Sequence, residues 1–171
     1  MAEFNSCASL IKDTRMLQEL EDQFDGSSDP LQEMLNMQEW LQTTLAEKLP
    51  ETNIKPSEIA TKGQLISWLD SNFDAMMDEY RELKNAVGGM SKGEKSASAV
   101  WKKWKSNHVE LQGELLVDMP DDDRLEMLFE VIDKLHFFLN ILLGVGLTSK
   151  DIYVLYFLKN MENRRRYESN Y

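Results

Sequence analysis

The sequence predicts an all-α protein, a helical bundle of five to six helices. Two observations lead to this fold class. Helix start and stop signals recur along the chain, and no Asn-Gly or Asp-Gly turn joins two runs of alternating apolar and polar residues. A chain of 171 residues is long enough to enclose one sizeable core. We therefore expect residues 1–171 to form a single domain, in which the small and polar residues 88–99 form a mobile loop.

The first two helices are expected on either side of the polar segment DGSSDP. The first helix runs from Asn5 to about Phe24. Asp29 is suited to cap the second helix, and Pro30 is favoured at its first position because that position needs no N–H donor. Pro50 ends the second helix, since proline cannot continue the hydrogen-bond ladder.

The later helices also begin and end at recognisable signals. Thr61 and Gln64 have the spacing of a capping box at the start of the third helix, and Gly88 with Gly89 ends it. A fourth helix is expected over residues 99–116. Three consecutive aspartates open the fifth, because acidic side chains favour the positive end of the helix dipole. A sixth helix follows the turn GVGLTSKD.

The bulk properties exclude several classes of partner. The formal net charge is −11, and an acidic surface repels polyanions, so we expect no direct binding of nucleic acid. The longest apolar stretch, residues 135–147, is shorter than the ~18 residues that cross a membrane, and the N-terminus lacks a signal-peptide pattern. A single cysteine, Cys7, fits a reducing compartment. These features predict a cytoplasmic protein that does not bind membranes.

The fifth helix carries polar residues within an apolar sequence. Glu130, Asp133 and Asn140 fall within an arc of roughly 80° at 100° per residue, and His136 lies at its edge. Aromatic residues flank this stripe, whereas a solvated face would carry lysines and glutamates. Burying a carboxylate costs free energy unless a partner compensates for it. The stripe therefore indicates a functional or paired set of side chains.

The third helix supplies a second acidic pair. Glu79 and Glu82 are three residues apart and share one face, where like charges repel unless a cation lies between them. Together with Glu130 and Asp133 they predict an oxygen-only site of the kind that suits Mg²⁺. The competing interpretation is that E-x-x-E is only a solvated helix face, which is common.

A di-iron carboxylate bundle is the alternative metal centre. That class needs a Glu-x-x-His pair on each of two helices. Asp133-x-x-His136 supplies one half-match, but His108 has no acid three residues before it. Redox iron is therefore disfavoured, and we expect His136 to be packed or to support a neighbouring group instead of binding metal.

A set of ordered motifs resembles a known superfamily. The acidic pairs E-x-x-E and E-x-x-D, together with the segments MLNMQEWLQ, WKKWK and YFLKNMENRRRYESNY, resemble motifs of the all-α nucleoside triphosphate pyrophosphohydrolases, which include MazG-like proteins and dimeric dUTPases. The match spans about residues 29–171. The whole chain resembles the dCTP/dUTP pyrophosphatases of T-even-type bacteriophages.

The resemblance implies a MazG-like or dimeric dUTPase-like bundle and a reaction. In that reaction dCTP or dUTP, with the diphosphates as further candidates, is hydrolysed to the monophosphate, and pyrophosphate leaves from the triphosphates. Mg²⁺ would be held by Glu79, Glu82, Glu130 and Asp133, and Glu79 would activate water with Asp78 in support. The residues implied in binding substrate are Gln38, Gln42, Trp104, Lys105, Asn140, Lys159, Asn163, Arg166 and Tyr171.

The resemblance also implies partners and a biological role. Proteins of this superfamily usually work as homodimers, and we further expect contact with other nucleotide-synthesis enzymes. In an infected host cell, hydrolysis of dCTP and dUTP would clear these nucleotides from the pool during phage DNA synthesis.

The chain departs from the family pattern at several positions. Glu82 and Glu130 are separated by 47 residues, more than in compact members of the superfamily. Asp78 stands where the dimeric dUTPases tend to have glutamate, Gln42 where they have asparagine, and Tyr167 where they often have glutamine. Two alternatives remain open: a hydrolase specific for dUTP, and a helical nucleotide-binding protein without catalysis.

Several motif residues also have a purely structural interpretation. Trp101 and Trp104 are three residues apart and suit core packing, which we favour for Trp101. The run Arg164–Arg166 lies where basic side chains complement the negative end of a helix dipole. Tyr171 is a terminal residue, and terminal residues are often frayed.

Overall fold

The computed structural model describes residues 14–23 and 26–168, and these residues form helices and turns without any β-strand. Five helices have ten residues or more, which confirms the all-α prediction. The α-helices are α1 Thr14–Gln23, α2 Pro30–Lys48, α3 Lys62–Val87, α4 Glu94–Ala97, α5 His108–Gly113, α6 Asp121–Gly144 and α7 Ser149–Glu168. Short 3₁₀ turns occur at Pro56–Glu58, Met90–Lys92, Ser98–Val100 and Leu116–Asp118.

The start of α2 confirms the predicted cap. The Asp29 carboxylate accepts hydrogen bonds from the backbone N–H groups of Leu31 at 3.1 Å and Gln32 at 3.2 Å, and Pro30 occupies the first turn. The Ser149 hydroxyl donates to the second carboxylate oxygen at 2.5 Å. The cap therefore also ties the start of α2 to the start of α7.

The capping box at the start of α3 is formed as predicted. The Gln64 N–H donates to Thr61 Oγ1 at 3.1 Å, and the Thr61 N–H donates to Gln64 Oε1 at 3.0 Å. The helix ends at Val87, directly before the predicted glycines. Gly89 has a φ of 85°, a backbone conformation that favours glycine because it has no Cβ.

The prediction of a fourth helix over residues 99–116 is wrong. The segment contains only the short helix His108–Gly113, flanked by turns. Residues 88–99, where we expect an open loop, form helical turns in which Ala97 and Ala99 are fully buried. A Cβ at Gly88 would overlap the carbonyl oxygen of Ala97, so the chain can approach this closely only at glycine. The first part of the predicted first helix lies outside the described residues.

The chain divides into two compact units, each assembled from separate stretches of sequence. The described part of the first unit is residues 14–23 and 71–138, and that of the second is residues 26–70 and 139–168. The buried apolar residues of the first unit are Ala86, Ala97, Ala99 and Leu111, and those of the second are Leu35, Ala46, Trp68, Leu139 and Ile141. Because α3 and α6 each contribute to both units, the boundary does not coincide with a linker.

No single helix in the described part of the chain is long and apolar enough to cross a membrane. Only the consecutive helices α6 and α7, taken together as a bent pair, reach the required length and composition.

Candidate metal centre

Three carboxylates from two helices meet in the first unit. Glu79 and Glu82 lie on α3 and Glu130 lies on α6, and each offers an oxygen that is within 4.8 Å of the other two. We call these residues the carboxylate trio. The spacing of three residues places Glu79 and Glu82 on one face of α3, and packing of α6 brings Glu130 to that face.

Electrostatics within the trio favour the protonated form of two members. Burial, reinforced by the carboxylates of Glu82, Glu79 and Asp133, raises the pKa of Glu130 to about 7. Burial also raises the pKa of Glu79, with added repulsion from Glu82, Asp133 and Asp78. Both pKa shifts have burial as their largest cause and repulsion between neighbouring carboxylates as their second.

The donor set of the trio fits a hard divalent cation. Glu130 Oε2 is buried and makes no hydrogen bond within the described part of the chain, an arrangement that is costly unless a partner is supplied. All of the donors are carboxylate oxygens, which Mg²⁺ prefers, whereas softer metals favour nitrogen or sulfur. The trio can therefore hold Mg²⁺ with water or phosphate oxygens completing the coordination.

Asp133, the fourth predicted ligand, does not belong to the trio. Its Oδ1 lies 3.6 Å from Nδ1 of His136, and its charge contributes to the raised pKa of Glu79 and Glu130. The His136 side chain is half exposed, so of its two expected roles, packing and support of a neighbouring group, packing is not what the structure shows. The structure places His136 as a neighbour of Asp133, which agrees with the supporting role.

Asp78, the predicted supporting group for catalysis, also lies outside the trio. Its exposed carboxylate forms an ion pair with Arg81, one turn further along α3. It nevertheless contributes to the raised pKa of Glu79. Its effect in this structure is therefore electrostatic.

Two candidates for base reading are buried in the second unit. Gln38 Nε2 donates to Asn140 Oδ1 at 2.8 Å, and Trp68 Nε1 donates to the Asn140 carbonyl at 2.7 Å. Gln38 is 6% exposed and Asn140 is 2% exposed. The hydrogen bond between these two amides connects α2 to α6. Gln42 lies half-buried on α2, one turn after Gln38.

The other residues predicted to bind substrate differ in solvent exposure. Trp104 is 76% exposed, so core packing does not account for it, while Lys105 is half-buried. Lys159 and Asn163 are exposed on α7. Arg166 Nε donates to Glu162 Oε1 at 3.0 Å. Tyr171 lies outside the described residues.

Two lysines on the helices that carry the trio were not identified as candidates from the sequence. Lys84 of α3 and Lys134 of α6 both extend over the ring of Tyr80. The spacing of Tyr80 and Lys84, four residues apart on a helix, is the local signal that indicates this contact. Nothing local indicates the contact with Lys134, because it joins two helices.

The fold and the trio together define an all-α protein with an oxygen-donor site for a divalent cation. Comparison with known proteins gives the family. A dCTP pyrophosphatase of Enterobacteria phage LZ5 is 44% identical over 172 aligned positions, and one of Enterobacteria phage T4 is 43% identical over 172, with each alignment covering 100% of both chains. The chain belongs to this family of phage dCTP pyrophosphatases, whose members are enzymes.

A third relative has a different name and length. A DNA replication protein of Enterobacteria phage T4 is 44% identical over 161 residues, which cover 94% of this chain and 41% of that protein. Neither a family model nor a solved structure matches the chain.

Proposed function

We propose that the protein is a Mg²⁺-dependent hydrolase that converts dCTP and dUTP to the monophosphates and pyrophosphate. The observation that carries the proposal is the carboxylate trio, in which Glu130 Oε2 is buried without a hydrogen bond to any described residue and the pKa of Glu130 is raised to about 7. The relatives named dCTP pyrophosphatase supply the substrate class. The extension to dUTP, and to the diphosphates, rests on the sequence resemblance.

The residues of the trio have distinct roles in this proposal. Glu79, Glu82 and Glu130 would hold Mg²⁺, which when bound would offset the charge that develops on the leaving pyrophosphate. Glu79 accepts a proton from the attacking water, and its raised pKa improves it as a base near neutral pH. The water oxygen bonds to the α-phosphorus while the bond to the bridging oxygen of the β-phosphate breaks. Asp133 adds negative charge beside the trio and orients His136.

The contacts proposed for the rest of the substrate come from the sequence resemblance. Lys105, Lys159 and Arg166 are proposed to bind phosphate oxygens, and Arg166 must release Glu162 to do so. Asn163 and Tyr171 would add hydrogen bonds. The amides of Gln38, Gln42 and Asn140 are proposed to read the base or the sugar, and Trp104 to pack against the substrate.

Exposed apolar residues in the second unit support the proposal of a homodimer. Met37 is 70% exposed and Trp40 is 68% exposed on α2, and Tyr153 and Tyr156 are 63% and 66% exposed on α7. Apolar patches of this kind usually mark contact surfaces. One chain has a mass of 19.9 kDa, and light scattering during gel filtration should give twice that mass. The mass of a single chain at high protein concentration would contradict the proposal.

Product analysis tests the reaction directly. The purified protein is incubated with each deoxynucleoside triphosphate and Mg²⁺, and the expected products from dCTP and dUTP are the monophosphate and pyrophosphate. Release of orthophosphate would point to a different bond. Turnover of dUTP without dCTP would favour the dUTP-specific alternative, and substrate binding without turnover would favour the non-enzymatic one.

The role in phage DNA synthesis follows from the proposed reaction. Hydrolysis of dCTP and dUTP would keep both out of new DNA, and the relative named as a DNA replication protein supports such a link. A contact with nucleotide-synthesis enzymes is part of this proposal. Co-purification of the tagged protein from infected cells, compared with a monomeric tag alone, would test that contact.

A further inference from the structure

Three lysines and two aromatic rings alternate within the first unit, which also contains the carboxylate trio, in the order Lys134, Tyr80, Lys84, Trp101 and Lys102. We call this set the lysine ladder. The Nζ atom of Lys84 lies 4.5 Å from the centre of the Tyr80 ring and 4.0 Å from that of Trp101. Lys134 Nζ lies 4.8 Å from Tyr80, and Lys102 Nζ lies 4.8 Å from Trp101. Each ring therefore contacts two ammonium groups.

The aromatic members of the ladder are held in place by the fold. Trp101 Nε1 donates a hydrogen bond to Oδ1 of the buried Asn85 at 2.9 Å. Tyr80 directly follows Glu79 on α3, and Lys134 directly follows Asp133 on α6. The ladder is thus anchored to the same two helices that carry the trio.

The lysines of the ladder avoid the nearby carboxylates. Lys134 lies four residues after Glu130 on α6, which is the favoured order for an ion pair within a helix. Yet none of the three lysines has a carboxylate of the described chain within ion-pair distance, and Glu130 Oε2 has no hydrogen bond. Opposite charges that could neutralise each other are therefore kept apart, so both remain available to ligands.

Gathering three half-buried ammonium groups has an electrostatic cost. Two cations over one ring repel each other, and each contact with a ring offsets only part of the lost hydration. An anion beside the ladder would relieve this repulsion. A lysine that faces a ring still has N–H donors to offer, and phosphate oxygens are strong acceptors for them.

We propose that the lysine ladder binds the β- and γ-phosphates of the triphosphate and the pyrophosphate that leaves. This assignment rests on the proposed function and adds Lys84, Lys102 and Lys134 to its binding residues. The trio would bind the cation and the ladder the condensed phosphate, so that each sign of charge has its own surface. Three positive charges match the part of the substrate that carries most of the negative charge.

Calorimetry with inorganic pyrophosphate in Mg²⁺ buffer tests the ladder without requiring turnover. Lys84→Met and Lys102→Met should each bind pyrophosphate roughly tenfold more weakly than the wild type, as expected for the loss of one charge-assisted contact. Lys103→Met removes the same charge from the exposed neighbour of Lys102 and should bind like the wild type. Wild-type affinity in both ladder variants, or no binding by the wild type, contradicts the ladder.

Kinetics separate binding from a merely structural role. Lys84→Met should raise KM for dCTP about tenfold with a smaller change in kcat, and Lys84→Arg should recover most of the affinity because arginine keeps the charge and stacks on aromatic rings. A structural role predicts a lower melting temperature in Lys84→Met with unchanged KM. Ladder-dependent binding of pyrophosphate without any hydrolysis of dCTP would refute the proposed function while supporting the ladder.

Discussion

Replacing Glu130 by glutamine should stabilise the metal-free protein and abolish metal-dependent turnover. Glu130 is half-buried beside Glu79 and Glu82, its buried Oε2 makes no hydrogen bond with the described residues, and its pKa is raised to about 7. Glutamine has nearly the same shape but no charge. It therefore removes repulsion within the trio, and it also removes the oxygen charge that would hold Mg²⁺.

The magnitude follows from the pKa shift of Glu130. Glu130 has an ordinary pKa of 4.5, which burial in the folded protein raises to about 7. At a pH between these two values, Glu130 keeps its proton in the folded metal-free protein but has lost it in the unfolded chain. The contribution of Glu130 to the free energy of unfolding is thus most favourable below pH 4.5 and decreases as the pH rises through about 7. The unscreened shift corresponds to about 3 kcal/mol. Solvent screening of this partly exposed side chain reduces it to about 1 kcal/mol.

Thermal denaturation in EDTA measures this effect. At about pH 8, Glu130→Gln should melt roughly 2–4 °C above the wild type, and the difference should diminish toward about pH 5. Asp74→Asn, which removes an exposed charge from α3 outside the trio, serves as the matched control and should show neither change. A lower melting temperature for Glu130→Gln at about pH 8, or an unchanged pH dependence, would refute the electrostatic reasoning.

Three further predictions concern the trio, its neighbour and the fold. Glu82→Gln should abolish turnover of dCTP and leave the helical circular dichroism unchanged. Asp133→Asn should reduce turnover less, because Asp133 lies outside the trio. Equal losses of turnover in the two variants would contradict this ranking. Gly88→Ala should lower the free energy of unfolding by roughly 1–3 kcal/mol in urea denaturation, since its Cβ would overlap the backbone at Ala97. Hydrogen bonds from Ser149 and the backbone lower the pKa of Asp29 below 3.8. The ionised Asp29 carboxylate therefore stabilises the folded protein above that pH, and this stabilisation is lost as the pH falls. The melting temperatures of Asp29→Asn and the wild type should converge in acid.

Local signals in the sequence correctly predicted several helix starts and ends. The Asp29 cap, the box of Thr61 and Gln64, and the stop at Gly88 are all present. Each depends on groups within about four residues, whose geometry a helix fixes regardless of the rest of the chain. The all-α class follows from the same repeated signals.

The segment from residue 99 to residue 116 shows where local signals fail. A helix is expected over the whole segment, but only His108–Gly113 is α-helical. The indole of Trp101 bonds to Asn85, and the imidazole of His108 lies 2.7 Å from the Ala99 carbonyl. Contacts with distant residues and tight turns around buried alanines outweigh helix propensity here.

The sequence by itself determined that two pairs of acids occur at helical spacing within a chain rich in helix signals. It also determined their likeness to the acidic motifs of pyrophosphohydrolases. Only the tertiary structure decided that Glu79, Glu82 and Glu130 meet, while Asp133 lies beside His136. The physical reason is that helical spacing fixes the neighbours on one helix, whereas the approach of two helices depends on packing. The same packing brought Lys134 to Tyr80.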